Sequence, residues 1–227
     1  MELHADFSQP ALVHGAKIPW RPSPMAGVER RMLDRIGDEV ARATTIVRYA
    51  PGSKFSAHVH GGGEEFFVLE GVFEDEHGAY GPGAYVRNPP QSKHTPGSGP
   101  GCVILVKLWQ FRPEDRQHVR LDTRTMSALP DPDRAGVERI ELYTDEHEQV
   151  GVERWSAGTQ IELELPGGAE LFVLEGEARV GGEELSPWSW LRLPAGSRLD
   201  ASAGPEGARL WIKRGHLRGP VSAPRPA

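Results

Sequence analysis

The segment Gly52-Ser-Lys-Phe-Ser-Ala-His58-Val-His60-Gly-Gly-Gly-Glu64-Glu-Phe-Phe-Val-Leu-Glu-Gly71 carries the strongest information about the fold and chemistry of this chain. Residues two apart in a β-strand point to the same face, so His58 and His60 present their imidazoles side by side. The glycines that follow allow a tight reversal, and the next strand returns the carboxylate of Glu64 to the same face. This pattern predicts a cation site on a β-sheet.

His94 adds a third imidazole to this constellation from a later part of the chain. It follows Asn88-Pro-Pro-Gln and is expected to lie on another strand. Three neutral imidazoles and one carboxylate suit Zn²⁺, Fe²⁺, Mn²⁺, Ni²⁺ or Co²⁺, and they do not suit Ca²⁺ or Mg²⁺. Six-coordination would leave two open positions, whereas a tetrahedral site would be filled by the protein and favour a structural role.

The chain is predicted to contain two copies of one unit. Four segments recur in the same order, residues 26–30 as 135–139, 48–52 as 154–158, 67–71 as 172–176 and 85–89 as 190–194. Between these segments, short apolar runs end at glycine or proline, which is typical of strands joined by turns. The repeat and the short strands together predict a duplicated all-β barrel or sandwich.

The spacing around the histidines resembles the first motif of the cupin superfamily, G(X)5HXH(X)3,4E(X)6G. The residues that fit it at every spacing are Gly52, His58, His60, Glu64 and Gly71. The motif would also admit Glu65 as the carboxylate, but only Glu64 leaves the required gap before Gly71. The resemblance implies one divalent transition metal per chain, Fe²⁺ or Zn²⁺ with Mn²⁺, Ni²⁺ or Co²⁺ as alternatives.

The second cupin motif, G(X)5PXG(X)2H(X)3N, is matched by Gly83, Pro89 and His94. The chain departs from it at Gln91, where glycine is usual, and at Ser98, where asparagine is usual. Both departures concern turn geometry more than metal ligation. The ligand set implied by the two motifs is therefore His58, His60, Glu64 and His94.

Residues 44 to 111 resemble one branch of this superfamily more closely, the cupin domain of the ChrR anti-sigma factors. Shared strings include Arg-Tyr-Ala-Pro-Gly, His-Val-His-Gly-Gly-Gly-Glu-Glu and Arg-Asn-Pro-Pro. ChrR-type regulators also carry a zinc-binding helical domain that holds the sigma factor, and we expect no such segment here. The resemblance implies the cupin and its metal without the anti-sigma activity.

The fold expected from the repeat and the resemblance is an all-β bicupin, two fused double-stranded β-helix (jelly-roll) barrels. We predict an N-terminal arm over residues 1–40 that adds strands to the first barrel, a metal-binding cupin over 41–112 and a linker over 113–134. A degenerate, metal-free cupin over 135–217 and a tail over 218–227 complete the organisation.

The second unit is expected to have lost the metal ligands. Counting from Gly158 as from Gly52, the positions of His58 and His60 fall on Glu164 and Pro166. Glu64 falls on Ala169 or Glu170, depending on where a one-residue deletion lies, and His94 falls on Leu199. No imidazole occupies any of these positions.

Composition narrows the environment and the partners. A net charge of −6 argues against nucleic acid or an anionic membrane surface as the partner. Cys102 is the only cysteine, so neither an internal disulfide nor a thiolate zinc site is expected. No signal peptide or spanning segment is apparent, which predicts a cytoplasmic protein that binds a small molecule, with a homodimer as an option.

Three functions fit this set of features. The first, which we favour, is a non-haem metal dioxygenase that acts on a small dicarbonyl or hydroxyketone, the reaction type of several cupins related to this branch. The second is a metal-dependent small-molecule sensor without the sigma-binding domain, and the third is a binding bicupin with a structural Zn²⁺. Candidate pocket-wall residues are Phe66, Val68, Tyr85 and Arg87, although core packing would also explain them.

Overall fold

The computed structural model describes residues 1–38, 40–219, 221 and 223–224, and these residues form an all-β structure. Their one helical segment is the 3-10 turn Gly15–Lys17. Among them, no helix is both long and apolar enough to cross a bilayer. Of the predicted tail over residues 218–227, positions 220, 222 and 225–227 lie outside the described residues.

Strands are numbered here in chain order. The strands up to Asp122 are β1 (Glu2–Leu3), β2 (Ala11–His14), β3 (Arg21–Pro22), β4 (Val28–Gly37), β5 (Ala41–Tyr49), β6 (Ser53–Lys54), β7 (His58–Val59), β8 (Glu64–Gly71), β9 (Phe73–Asp75), β10 (Gly78–Tyr80), β11 (Ala84–Asn88), β12 (Lys93–His94), β13 (Gly97–Ser98), β14 (Cys102–Leu108) and β15 (Val119–Asp122). Those that follow are β16 (Leu129–Pro130), β17 (Val137–Thr144), β18 (Gln149–Trp155), β19 (Gln160–Leu165), β20 (Ala169–Val180), β21 (Glu183–Leu185), β22 (Ser189–Leu193) and β23 (Ser197–Arg214).

The first compact unit consists mainly of Met1–Ala5 and Pro19–Thr125. Its large antiparallel sheet has the order β1-β4-β5-β14-β8-β11-β15, with β3 paired to β4. A smaller sheet, β10-β9-β13-β6, and the two-stranded ladder β12-β7 complete the unit. The interior is apolar because alternate residues of these strands face inwards, among them Phe66, Val68 and Ile104.

The second compact unit contains Asp6–Ile18 and most of Met126–Val221. Its sheet has the order β16-β17-β18-β23-β20-β22-β2, and β19 and β21 pair with β23 and β20. Its core is built from buried aliphatic side chains and one large aromatic residue, Trp155. Each unit has a jelly-roll fold, so the expectation of two all-β jelly-roll units is confirmed.

The N-terminal arm is divided between the two units, whereas the sequence analysis assigned all of residues 1–40 to the first barrel. Strands β1, β3 and β4 join the first sheet, whereas β2 pairs with β22 of the second unit. In the first unit the corresponding edge, that of β11, is covered by β15 from the predicted linker. An uncovered edge leaves backbone donors and acceptors unpaired. In the second unit, β2 therefore pairs with the edge strand β22, as β15 pairs with the edge strand β11 in the first unit.

The repeated segments share one strand register. Phe67 pairs with Tyr85 across β8 and β11, and Phe172 pairs with Trp190 across β20 and β22. Because the registers agree residue by residue, positions in the two units can be equated directly. This equivalence is used below to locate the counterparts of the metal-binding residues.

The close backbone crossing at Gly71 gives a test of the fold. Gly71 has a φ of 69°, and a Cβ there would lie 2.0 Å from the carbonyl oxygen of Gly101. Gly52 has a φ of 76° but no atom within 4 Å of its Cβ position. We expect Gly71→Ala to lower the free energy of unfolding by more than about 3 kcal/mol, because strain and a backbone clash add. Gly52→Ala, which carries only the left-handed strain, should cost about 1–2 kcal/mol.

Denaturant unfolding of the two variants and the parent measures both effects. Equal losses at Gly71 and Gly52 would show that the crossing is not as tight as the structure has it.

Candidate metal centre

Two short strands bring the histidines together. His94 of β12 is the direct cross-strand partner of His58 in β7. The chain after β7 stays attached to the same ladder, because the backbone N–H of His60 donates to the carbonyl oxygen of Ser92 at 2.9 Å. The carbonyl oxygen of His60 accepts from the N–H of Gln91 at 2.9 Å. All three imidazoles are thus anchored by backbone pairing.

Gln91 occupies the motif position at which glycine is usual. Its φ of 71° lies in the left-handed region, where glycine is favoured. A non-glycine residue in this region carries strain of about 1–3 kcal/mol. The departure from the motif therefore affects the turn, as the sequence predicted, and leaves the position of His94 intact.

The reversal between His60 and Glu64 depends on its three glycines. A Cβ on Gly61 would lie 2.8 Å from the ring of Trp109, and a Cβ on Gly62 would lie 2.2 Å from the same ring. Gly63 has a φ of 77°, and a Cβ there would lie 2.4 Å from the ring of Phe111. Side chains at these positions would displace the aromatic rings that cover the turn. The glycines therefore permit both the reversal and its packing.

The geometry of the cluster suits a single cation. His58, His60 and His94 each offer a ring nitrogen, and these nitrogens lie within 4.8 Å of one another. The Oε2 atom of Glu64 lies 3.7 Å from Nε2 of His60 and 3.6 Å from Nε2 of His94. Two donor atoms that are each about 2.1 Å from one ion lie about 3.0–3.4 Å apart, so small side-chain adjustments would complete a shared coordination sphere.

The hydrogen bonding of the imidazoles gives a further test of the fit. The Nε2 atoms of His60 and His94 are buried and make no hydrogen bond to any described residue. Buried polar nitrogens are normally satisfied, and a bound cation would satisfy both. His58 is exposed, so the cluster can be approached from its side. The three histidines can hold a metal.

Two polar residues that the motifs do not contain orient the candidate ligands. The Asp75 carboxylate, buried, lies 3.3 Å from Nδ1 of His94 and accepts the backbone N–H of His77. The side-chain N–H of Asn88 donates to Oε2 of Glu64 at 3.3 Å. Sequence reasoning missed both roles. Asp75 reaches His94 only through the folding of β9 against β13. Asn88 faces Glu64 only through the pairing of β11 with β8.

The environment shifts the pKa values of two histidines in opposite directions. Burial lowers the pKa of His60, helped by the neighbouring His94 and His58, and the charge of Glu64 only partly offsets this. Burial also acts to lower the pKa of His94, but the hydrogen bond to Asp75 and the charges of Glu64 and Asp75 outweigh it, so that pKa is raised.

The candidate pocket-wall residues divide by strand face. Phe66 and Val68 are buried in the interior with Val86, on the face that also carries Glu64. Tyr85 and Arg87 lie on the opposite face, so placing them in the wall of a pocket at the cluster was wrong. Adjacent strand positions face opposite sides, and both residues are used elsewhere.

The partners of these two residues are polar groups on that opposite face. The Tyr85 hydroxyl donates to Oε2 of Glu65 at 2.6 Å. Arg87 forms an ion pair with Asp115 at 2.8 Å and stacks over Phe111 with its guanidinium carbon 4.2 Å from the ring centroid. Because Glu65 lies on this face, Glu64 is the carboxylate that reaches the imidazoles.

The second unit carries hydrocarbon side chains at the equivalent positions. Leu199 pairs with Leu163 as His94 pairs with His58. The carbonyl oxygen of Leu165 accepts from Gly196 as that of His60 accepts from Gln91.

This corrects the residues predicted by counting. Leu163 and Leu165, not Glu164 and Pro166, replace the first two histidines, because the one-residue deletion precedes them in the segment that leads into β19. Ala169 replaces Glu64, since it begins β20 as Glu64 begins β8. Leucine and alanine offer no ligand atom.

Comparison with known proteins agrees with the fold and the motif. Residues 8–112 match the model of the ChrR cupin-like domain. These residues include the whole histidine cluster, and they form a ChrR cupin-like domain. No curated protein matches the sequence. The two units of this bicupin follow the same architecture, and the candidate metal ligands lie in the first.

Solved structures of similar fold cover nearly the whole bicupin. A Nostoc punctiforme protein described as a "putative dioxygenase" has a TM-score of 0.77 at 15% identity, over 97% of this chain and 87% of the other. Oxalate decarboxylase of Lactobacillus farciminis, in a formate complex, has a TM-score of 0.65 at 9% identity, over 94% and 87%. The Escherichia coli pirin YhhW with nickel(II) has a TM-score of 0.62 at 14% identity, over 91% and 99%. At these identities the likeness shows the fold alone.

The carboxylate behind His94 can be tested by substitution. We expect Asp75→Asn to weaken metal binding about 10–100-fold, because it removes the charge that orients His94 and increases its basicity. The metal affinity is measured by competition with a chromogenic chelator. Glu70→Gln, at an exposed position on β8, is the matched control and should not change the affinity. An unchanged affinity in a folded Asp75→Asn protein would mean that the contact with His94 has no role.

The pKa shifts also predict how metal affinity depends on pH. His94, with its raised pKa, holds a proton up to higher pH and must release it when metal binds, whereas His60 is already neutral there. Affinity should therefore fall as pH falls, at first by about one proton per metal. Well below about pH 6, the slope should approach three protons, since each imidazole must be neutral to ligate. Metal titrations over this range give the slope. A value that never exceeds one proton would contradict the three-histidine ligand set.

Proposed function

We propose that the first cupin unit binds one divalent transition metal through His58, His60, Glu64 and His94, and that the protein is a non-haem metal dioxygenase. Its substrate would be a small dicarbonyl or hydroxyketone. The observation that carries the proposal is the convergence of three imidazoles and one carboxylate, with two buried nitrogens that lack a hydrogen-bond partner among the described residues.

The donor set is the main support for redox chemistry. Imidazole and carboxylate ligands suit Fe²⁺, with Zn²⁺, Mn²⁺, Ni²⁺ or Co²⁺ as alternatives. When bound, such a metal supplies Lewis acidity and free coordination positions for a chelating substrate and dioxygen. The similar fold of the Nostoc punctiforme protein, described as a "putative dioxygenase", supports the reaction class by analogy.

The residues of the chain have distinct parts in this proposal. Asp75 fixes the orientation of the His94 ring, and Asn88 fixes that of the Glu64 carboxylate. Phe73 covers the inner side of the cluster, with its ring centroid 5.8 Å from that of His94, and excludes water there. The exposed side of His58 leaves an approach for a small molecule, and we propose a small molecule as the binding partner. The protein that binds it is either a monomer or a homodimer.

The ChrR cupin-like match over residues 8–112 favours a second candidate, a metal-dependent small-molecule sensor. A sensor would use the same cluster to bind its signal without turning it over. Turnover therefore separates the two candidates, whereas metal binding does not.

Metal content and oxygen consumption test the proposal. Protein reconstituted anaerobically with Fe²⁺ should hold one metal per chain and consume O₂ with members of a panel of diketones and hydroxyketones. His60→Ala should lose both properties, because one of three imidazoles is removed from the centre. His118→Ala, an exposed histidine outside the cluster, should keep both.

The outcomes separate the candidate functions. Two metals per chain, or none, would refute the metal assignment. Ligand binding without O₂ consumption would favour the sensor. A large fall in melting temperature on chelation or in His60→Ala would instead indicate a structural Zn²⁺, because metal-binding free energy would then contribute to folding.

A further inference from the structure

Tyr49 lies inside the first unit, next to the aromatic side chains that border the metal-binding residues. It ends β5 and packs against the interior core. Its ring centroid lies 4.9 Å from that of Phe55 and 5.9 Å from that of Phe73. Phe73 in turn lies against His94. Tyr49 is therefore one aromatic ring away from the cluster.

The Tyr49 hydroxyl makes no hydrogen bond within the part of the chain that the structure describes. The other tyrosines do, since Tyr80 bonds to Asp75 at 3.3 Å and the hydroxyls of Tyr85 and Tyr143 bond to carboxylates at 2.6 and 3.2 Å. Tyr49 packs on the interior core, but part of its side chain stays accessible. An accessible hydroxyl that has no hydrogen-bond partner among the described residues is available to a ligand.

The metal-free unit treats the same position differently. The repeat places Trp155 opposite Tyr49, in Arg-Trp-Ser-Ala-Gly against Arg-Tyr-Ala-Pro-Gly. Trp155 is 1% exposed, and its indole N–H donates to Oε2 of Glu153 at 2.8 Å. In the unit without the histidines, the side chain at this position is thus buried and its N–H donor is hydrogen-bonded. In the unit that keeps them, it carries an open donor.

We propose that Tyr49 is a substrate-positioning residue whose hydroxyl donates a hydrogen bond to an oxygen of a dicarbonyl or hydroxyketone held at the cluster of His58, His60 and His94. This inference rests on the proposed function and deepens it. It assigns recognition of the substrate oxygen to a residue outside both cupin motifs.

The chemistry of the phenol fits a donor and not a base. Burial raises the pKa of Tyr49, and the charges of Glu64 and Cys102 raise that pKa further. The hydroxyl therefore keeps its proton at neutral pH. A neutral donor favours an enolate or carbonyl oxygen and does not compete for the cation as a phenolate would.

Tyr49→Phe isolates the hydroxyl, because it removes one oxygen atom and leaves the ring in place. The probe is acetylacetone, a β-diketone, titrated spectroscopically into Fe²⁺-loaded protein without oxygen. We expect its Kd to rise about tenfold in Tyr49→Phe, the effect of losing one hydrogen bond to a charged acceptor. Metal content and melting temperature should not change, since the hydroxyl has no partner in the protein. Tyr143→Phe, in the other unit, is the matched control and should bind the probe as the parent does.

The results that would overturn the inference are distinguishable. An equal Kd in the parent and in Tyr49→Phe would refute the role of Tyr49 while leaving the proposed function intact. Failure of the metal-loaded parent to bind acetylacetone would refute the diketone assignment and, with it, this inference. A lower melting temperature in Tyr49→Phe with unchanged Kd would identify the hydroxyl as structural.

Discussion

Between His60 and Glu64 the chain must reverse within three residues and return both side chains to one face of the sheet. Only a turn without side chains does this here, because Trp109 and Phe111 pack directly on its backbone. The same turn ends the short ladder of β7 and β12 and begins β8, a central strand of the large sheet. The site therefore depends on a backbone constraint before it depends on any ligand.

The two units show opposite solutions to the packing of one interior position. In the first, imidazole nitrogens are held without protein partners, an arrangement that is unfavourable unless a cation or ligand satisfies them. In the second, Leu165, Leu199 and Ala169 fill the equivalent space and join a continuous apolar core. Burial of hydrocarbon stabilises by about 25 cal/mol per Å². The candidate site is thus a less favourable arrangement than the apolar packing of the second unit, in keeping with the usual conflict between function and stability.

What both units retain belongs to the scaffold. The Tyr85 hydroxyl bonds to Glu65, and the indole N–H of Trp190 bonds to Glu170 at 3.0 Å. Both pairs are buried, and each lies on the sheet face opposite that of Glu64 in the first unit or Ala169 in the second. Because the second pair persists where no ligands remain, this polar arrangement serves the sheet and not the metal. It also explains why Tyr85 was a misleading candidate for a pocket wall.

The sequence by itself determined the all-β duplicated fold and the candidate ligands, because strand parity and turn glycines act over a few residues and leave a readable spacing. It did not determine contacts between strands that are distant in the chain. Asp75 behind His94, the open hydroxyl of Tyr49 and the pairing of β2 with β22 all arise from such contacts. The assignment of Leu163, and not Glu164, as the counterpart of His58 has the same origin. The position of a deletion inside a loop is known only once the strand pairing gives the register. Local geometry is encoded by neighbouring residues, whereas cross-strand partners are selected by the whole fold.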